Sequence, residues 1–213
     1  MAEHKDHRRS TEGKAAVSIA AQAYIGQVLD QRYVIEAPLG EGSTGIVYRA
    51  RHAVLDKPFA VKILRRHLCA NATAIQRFRQ EAMITAWIGS PHIVDMMDFG
   101  TLPDGSTYCV MEYLEGMSLA EAVAQAGRMP VERVLHIARQ LLQGLAAAHD
   151  NGVIHRDLKS ENIFLTQLPD QDEGVKILDF GIAKIGNQTS GMTQNGQIFG
   201  TPHYMSPEQC SGL

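Results

Sequence analysis

Two hydrophobic periods alternate along this chain, and their order divides it. From Tyr33 onward, short runs rich in β-branched and aromatic residues predict strands, as in Ile46-Val47-Tyr48-Arg49-Ala50-Arg51 and Ala60-Val61-Lys62-Ile63-Leu64. Met96 to Gly100 and Tyr108 to Glu112 form a hairpin-like pair around the turn string Pro103-Asp104-Gly105. Between these strand regions, Ile75, Phe78, Ala82 and Ala86 recur at helical spacing from Ala74 to Trp87, with Thr73-Ala74-Ile75-Gln76 as a capping box ahead of them. Past the hairpin the period turns helical. Ser118-Leu119-Ala120-Glu121 is a second capping box, with Gly127 as the stop. Pro130 then opens the clearest helix, whose stripe of Val131, Val134, Leu135, Ala138, Leu141, Leu142 and Leu145 ends before Asn151-Gly152. Gly152-Val153-Ile154 and Val175-Lys176-Ile177-Leu178 read as short strands. Strands first and helices after predict an α+β chain of two lobes with a cleft between them. Residues 1–26 are polar and then small-residue-rich without a period, a mobile leader with room for a helical turn. Residues 27–213 follow as one domain, with an N-terminal lobe to about residue 114 and a second lobe over about 115–213.

Composition narrows the class. The 213 residues are 45% hydrophobic and carry 20 Lys and Arg against 23 Asp and Glu, a net charge of −3. That balance suits a globular chain with a sizeable core and lacks the basic excess of a general nucleic-acid binder. Cys69, Cys109 and Cys210 are odd in number, far apart and without a C-x-x-C pair, so reduced thiols are expected. No apolar run approaches 18 residues and no secretory signal is visible, so a cytoplasmic chain without a membrane span is expected. The nine His residues show no zinc-helix spacing, and His155 reads as a core histidine rather than a ligand.

Candidate chemistry is concentrated in His155-Arg156-Asp157-Leu158-Lys159-Ser160-Glu161-Asn162 and in Asp179-Phe180-Gly181. Phosphoryl transfer asks a protein for positioning, for metal ions that neutralise phosphates, and for a carboxylate near the attacking hydroxyl. Asp157 suits that carboxylate, while Asn162 and Asp179 offer the hard oxygens that Mg²⁺ prefers. Gly40-Glu41-Gly42-Ser43-Thr44-Gly45-Ile46-Val47 fits a glycine pattern that lets backbone approach phosphates. The β-branched residues after Gly45 join it to a strand rather than to the helix of a dinucleotide fold. Lys62, in an apolar strand, is costly to bury without a partner. Glu81, on the next helix and its single Glu, suits that partner; the plainer alternative is a surface Glu on an amphipathic helix.

Taken together, these motifs resemble Hanks-type Ser/Thr protein kinases over about Tyr33 to Glu208, and the wording around Asp179 and Glu208 looks most like bacterial members. The resemblance implies the kinase two-lobed fold, ATP with Mg²⁺ or Mn²⁺, and protein substrates with Ser or Thr acceptors. Asp157, Lys159, Lys62 and Glu81 would be the catalytic set, and Asn162 and Asp179 the metal ligands. Nucleotide contacts would come from Leu39, Gly40, Gly42, Gly45 and Lys62. Met111 would be the gatekeeper, Glu112-Tyr113-Leu114 the hinge whose backbone bonds adenine, and Val47, Ala60 and Phe164 the sandwich around the ring. For the apolar members, core packing is an equally consistent reading. Lys159 and Gly200-Thr201-Pro202 follow the Ser/Thr-specific form, whereas Ser206 stands where many members have Ala. Arg156 implies a loop ordered by phosphate, and autophosphorylation is expected first at Thr193, with Thr189 and Ser190 beside it, in a homodimer.

The resemblance also sets what should follow Leu213: several helices with an Asp for the catalytic loop, an Arg for Glu208 and a surface covering the Val131 to Leu145 stripe. The expectation is a truncated kinase, weakly stable or inactive unless a partner or a continuation covers that stripe, with a full-length form that could be membrane-anchored. The alternative functions are a nucleotide-binding pseudokinase and an interaction-only fragment.

Overall fold

In the computed structural model, residues 18–167, 173–180 and 202–210 are described. The N-terminal half is built on a six-stranded antiparallel sheet of order β1-β2-β3-β4-β6-β5. Its strands are β1 (Val28–Leu29), β2 (Tyr33–Glu41), β3 (Gly45–His52), β4 (Pro58–Leu64), β5 (Met96–Thr101) and β6 (Thr107–Glu112). Helix α1 (Ile19–Gln22) precedes the sheet, and helices α2 (Arg66–Cys69) and α3 (Ala72–Ile88) lie between β4 and β5. The other half holds a three-stranded sheet of β7 (Gly116–Ser118), β8 (Ile163–Gln167) and β9 (Glu173–Ile177). It also holds helices α4 (Leu119–Ala126), α5 (Val131–Asp150) and α6 (Pro207–Cys210). The expected hairpin and the strands around Val47 and Lys62 are all present.

Local chemistry explains the boundaries, sometimes by a different residue from the one expected. Helix α3 starts two residues early because Asn71, rather than Thr73, is its cap: the Asn71 carboxamide oxygen accepts from the N–H groups of Thr73 and Ala74 at 3.0 and 3.2 Å. Helix α4 has the full capping box, with Ser118 accepting from the Glu121 N–H and Glu121 accepting from the Ser118 N–H at 2.8 Å. Gly152-Val153-Ile154 forms no strand. Gly152 takes φ of 71°, and the segment runs as a turn and extended chain into the following loop.

The stripe on α5 splits. Its buried line runs through Ile137, Gln140, Gly144 and Ala148, with Leu141 and Leu145 packed beside it, whereas Leu135 and Leu142 are each 63% exposed. Gly144 decides this orientation. A Cβ there would sit 2.8 Å from Ile177 Cδ1 and 3.0 Å from His92 Cβ, so only a bare backbone lets α5 close on β9. Gln140 then bonds strand β9 directly, donating to the Glu173 carbonyl at 2.9 Å and accepting from the Val175 N–H at 3.1 Å. A polar side chain thus takes part in a buried face because the edge of β9 supplies its partners.

The leader expected to end near residue 26 is packed against the sheet from Ser18 onward. Ala21 is fully buried in the cluster of Leu29, Tyr33, Ile35, Tyr48 and Val110, and Tyr24 packs edge-on against Tyr48 at 6.0 Å. A small side chain and one aromatic ring suffice to seat this short segment. Among the described residues no helix is long and apolar enough to cross a membrane.

Candidate active site

The expected groups come from separate parts of the fold, and Lys62, Glu81 and Asp179 are brought together. Lys62 comes from the middle of β4, only 6% exposed, and its Nζ donates to Asp179 Oδ1 at 2.7 Å. That contact joins the larger sheet to the chain just after β9. Glu81, on the inner face of α3, is 8% exposed. Burial alone would push Lys62 down, but the carboxylates of Asp179 and Glu81 outweigh it and hold the ammonium above its ordinary range. Burial pushes Asp179 up, and Lys62, by charge and hydrogen bond and with help from Lys159, more than offsets this and holds the carboxyl below its ordinary range. Cys109 faces Lys62 across the β4–β6 pair, where burial raises its thiol to about 12, so it stays a neutral thiol.

The loop before β8 is held by its own backbone. His155 is buried, contacts the Leu178 carbonyl through Nε2 at 2.9 Å and accepts from the Asp157 N–H at Nδ1 at 3.2 Å. This pair of bonds selects the Nε2–H form of the ring, which also packs on Phe180 with centroids 4.7 Å apart. Asn162 donates from Nδ2 to the Asp157 carbonyl at 2.9 Å, and its own carbonyl accepts from the Leu178 N–H at 2.8 Å. Asp157, Asn162 and Leu178, the residue before Asp179, are therefore joined through one short network. Arg156 and Asp179 both adopt left-handed backbone, with φ of 60° and 46°, strained conformations for residues with a Cβ. Lys159 closes the turn, its carbonyl accepting from the Asn162 N–H at 2.9 Å.

The glycines in the β2–β3 turn do different jobs. A Cβ on Gly45 would lie 2.5 Å from the Ile63 carbonyl oxygen, so β3 and β4 approach too closely for any side chain there. Gly42 donates to the Gly45 carbonyl at 2.8 Å, and a Cβ on Gly40 would meet nothing within 4 Å. Neither Gly40 nor Gly42 has a left-handed φ, so open space rather than backbone freedom distinguishes them.

One apolar cluster gathers Val47, Ala60, Met111 and Leu114 together with Leu178. Leu39 on β2 is 49% exposed beside the glycine turn, and Phe164 on β8 lies opposite Ser118 of β7. Glu112 carries more than backbone. Its Oε1 accepts from Lys176 Nζ at 2.6 Å and from the Asp95 N–H at 2.8 Å, which ties the end of β6 to β9. The sequence reading missed this bridge, although a lone cation within the apolar run of β9 was a signal for it. Gly116 was also missed. Its φ is 150°, and a Cβ would lie 1.9 Å from the Leu165 carbonyl oxygen, so the junction into β7 needs glycine.

The segment 202–210 docks on this loop. Gln209 Nε2 donates to the Arg156 carbonyl at 2.9 Å, and the Tyr204 hydroxyl meets Ser160 Oγ at 2.9 Å. Thr189, Ser190, Thr193, Gly200 and Thr201 lie outside the described residues.

With this geometry in place, comparison with known proteins is specific. The family model described as "Protein kinase domain" matches residues 33–212. The chain is 40% identical over 192 residues to the Ser/Thr protein kinase pkn3 of Myxococcus xanthus, covering 89% of this chain and 35% of that protein. It is 37% identical over 188 residues to the Ser/Thr protein kinase PrkC of Bacillus subtilis, covering 88% of this chain and 28% of that one. The chain thus spans about a third or less of these relatives. Among solved structures, the kinase domain of Mycobacterium tuberculosis PknI superposes with a TM-score of 0.63 at 29% identity, over 75% of this chain and 64% of that one.

Proposed function

The chain belongs to the protein kinase family, among its bacterial Hanks-type Ser/Thr members, and we propose that it transfers the γ-phosphate of ATP to Ser and Thr hydroxyls of proteins. The observation that carries this reading is the buried Lys62 bonded to Asp179 at 2.7 Å, next to the network of Asp157 and Asn162. The left-handed backbone at Arg156 and Asp179, strained for residues with a Cβ, supports the same reading, since a structural ion pair alone would not need it.

Protein kinases use ATP and a divalent metal, and the residues present fit both. A Cβ at Gly40 would meet nothing within 4 Å and one at Gly42 would meet the Gly45 carbonyl oxygen at 3.7 Å, which leaves room for phosphates to approach this turn. Asn162 spends its Nδ2 on the Asp157 carbonyl, which leaves its Oδ1 as a hard ligand atom that would hold a metal together with the Asp179 carboxylate. When bound, ATP with Mg²⁺, or with Mn²⁺, supplies the phosphoryl group and the charge that neutralises it in flight. Lys62 presents its ammonium to the α- and β-phosphates, with Glu81 supporting its charge. Asp157 accepts the proton of the attacking hydroxyl, and Lys159 lends positive charge beside it. Val47, Ala60 and Phe164 would pack on the adenine, with Met111 and Leu39 beside it, and the backbone of Glu112 and Leu114 would bond its edge, the Glu112 carboxylate being committed to Lys176.

Residues 27–114 serve as the nucleotide lobe and those from 115 as the substrate lobe, a division supported by the change of sheet between Glu112 and Gly116. Autophosphorylation at Thr193, within a homodimer and in the cytoplasm, completes the proposal. Transfer of labelled phosphate from Mg-ATP to a basic protein tests it. Asp157→Asn should lower transfer by on the order of 10²-fold or more while nucleotide still binds. Full activity in Asp157→Asn would refute the assignment of the base.

A further inference from the structure

Groups with no part in the chemistry above hold the glycine-rich turn from two sides. From the end of β4, Arg65 donates from Nε to the Gly42 carbonyl at 2.9 Å and from its N–H to the Thr44 carbonyl at 2.9 Å. Its Nη2 also lies 3.5 Å from Glu41 Oε2. From the opposite direction comes the segment ahead of β1, where the Ser18 N–H donates to Glu41 Oε1 at 3.3 Å. Hydrogen bonds from the Ser18 hydroxyl and amide, followed by the charge of Arg65, keep the Glu41 carboxyl below its ordinary range.

That segment is firmly seated. The Ser18 hydroxyl caps α1 by accepting from the Ala21 N–H at 3.2 Å, and Ala21 is fully buried. Tyr24 packs on Tyr48, and its hydroxyl meets Ser106 Oγ at 2.9 Å. Two backbone bonds of 2.9 Å, Gly26 N–H to the Ile35 carbonyl and Ile35 N–H to the Gln27 carbonyl, then stitch the segment to β2.

We propose that residues 18–27 form a strap which, together with Arg65, clasps the glycine-rich turn through Glu41, making Glu41 and Arg65 positioning residues for the cover over the nucleotide phosphates. The proposal deepens the kinase reading and rests on it. Glycine loses more backbone freedom on ordering than any other residue, so a turn containing Gly40, Gly42 and Gly45 is costly to immobilise over a ligand. A clasp already closed in the free protein removes part of that cost from nucleotide binding.

Hydrogen exchange on the whole chain without nucleotide reads the clasp itself. Arg65→Ala on one side and Tyr24→Ala on the other should each speed exchange at residues 40–45 by about two- to five-fold, the range that an exposed charge-assisted contact supports. Glu41→Gln, which keeps the side chain's shape, should do the same. Titration of the same variants should show the Kd of Mg-ATP rising by about two- to five-fold while that of adenosine, which has no phosphate to cover, is unchanged. Unaltered exchange at residues 40–45 in both Arg65→Ala and Tyr24→Ala overturns the clasp. Equal weakening of ATP and adenosine also overturns it, since the strap would then only support the lobe. If the unaltered chain takes up neither ligand, the phosphate-cover reading fails by itself, and the exchange measurement still decides the clasp.

Discussion

Removing either partner of the Lys62–Asp179 pair should destabilise the fold unequally, and the structure sets the order. The Lys62 side chain is 7% exposed and that of Asp179 is 44% exposed. Asp179→Asn leaves an ammonium inside the protein with only the charge of Glu81 to offset it. Lys62→Met leaves at Asp179 a carboxylate that water already reaches and takes an opposite charge from the buried Glu81, while it fills the lysine's path with a side chain of similar length. Breaking a fully buried pair from one side costs about 3–5 kcal/mol. Because the Asp179 carboxylate is partly solvated, the pair is worth less than that limit, and about 2–3 kcal/mol is expected for Asp179→Asn against about 1–2 kcal/mol for Lys62→Met, where Glu81 also loses an opposite charge. Urea unfolding followed by circular dichroism at 222 nm measures both through the shift in midpoint. The pH dependence supplies a second check. Asp179 is lowered in the folded state, so its contribution is present above the ordinary carboxyl value of about 3.9 and is lost as pH falls through the folded value. Lys62 is raised, so its contribution is present below about 10.4 and is lost only as pH climbs through its higher folded value. The gap between Asp179→Asn and the unaltered chain should therefore be level from about pH 5 to 9 and narrow in acid. A Lys62→Met chain less stable than Asp179→Asn would refute the reasoning, since burial would then not be what sets the cost.

Three further outcomes follow from single contacts. Gly45→Ala drives a Cβ to 2.5 Å from the Ile63 carbonyl oxygen, and the β3–β4 pair should yield by about 1–3 kcal/mol in the same urea assay. Asn71→Ala removes the cap of α3, the helix carrying Glu81, and should cost about 1 kcal/mol and speed amide exchange at Thr73 and Ala74. Lys176→Met removes the bond to Glu112 at 2.6 Å and should cost about 1.5–3 kcal/mol, with faster exchange at residues 112–116 marking the loosened link between the two sheets.

Much of the candidate site was legible because its chemistry is written locally. Asp157 and Asn162 lie five positions apart on one loop, and Asp179 directly follows an apolar strand, so their types and spacing already state what they can ligate. The pairing of Lys62 was less legible. The sequence pointed to Glu81, 19 positions on, whereas the bonded carboxylate is Asp179, 117 positions away, and Glu81 acts on the ammonium through its charge. Separation in sequence carries no information about which of two acids lies at 2.7 Å.

Periodicity alone determined that residues 74–87 and 131–145 are helical, that the hairpin closes around Asp104 and Gly105, and that strands precede helices. These follow from backbone geometry, which repeats every few residues and needs no distant partner. Which face of each helix is covered, and by what, was settled only by packing. The α5 stripe turned because Gly144 admits Ile177 and because Gln140 finds partners on β9. The leader acquired structure because Tyr24 meets Tyr48. Gly116 is required by a carbonyl 49 residues away. A side chain's burial depends on surfaces brought from elsewhere in the chain, so it is decided when the fold closes and not before.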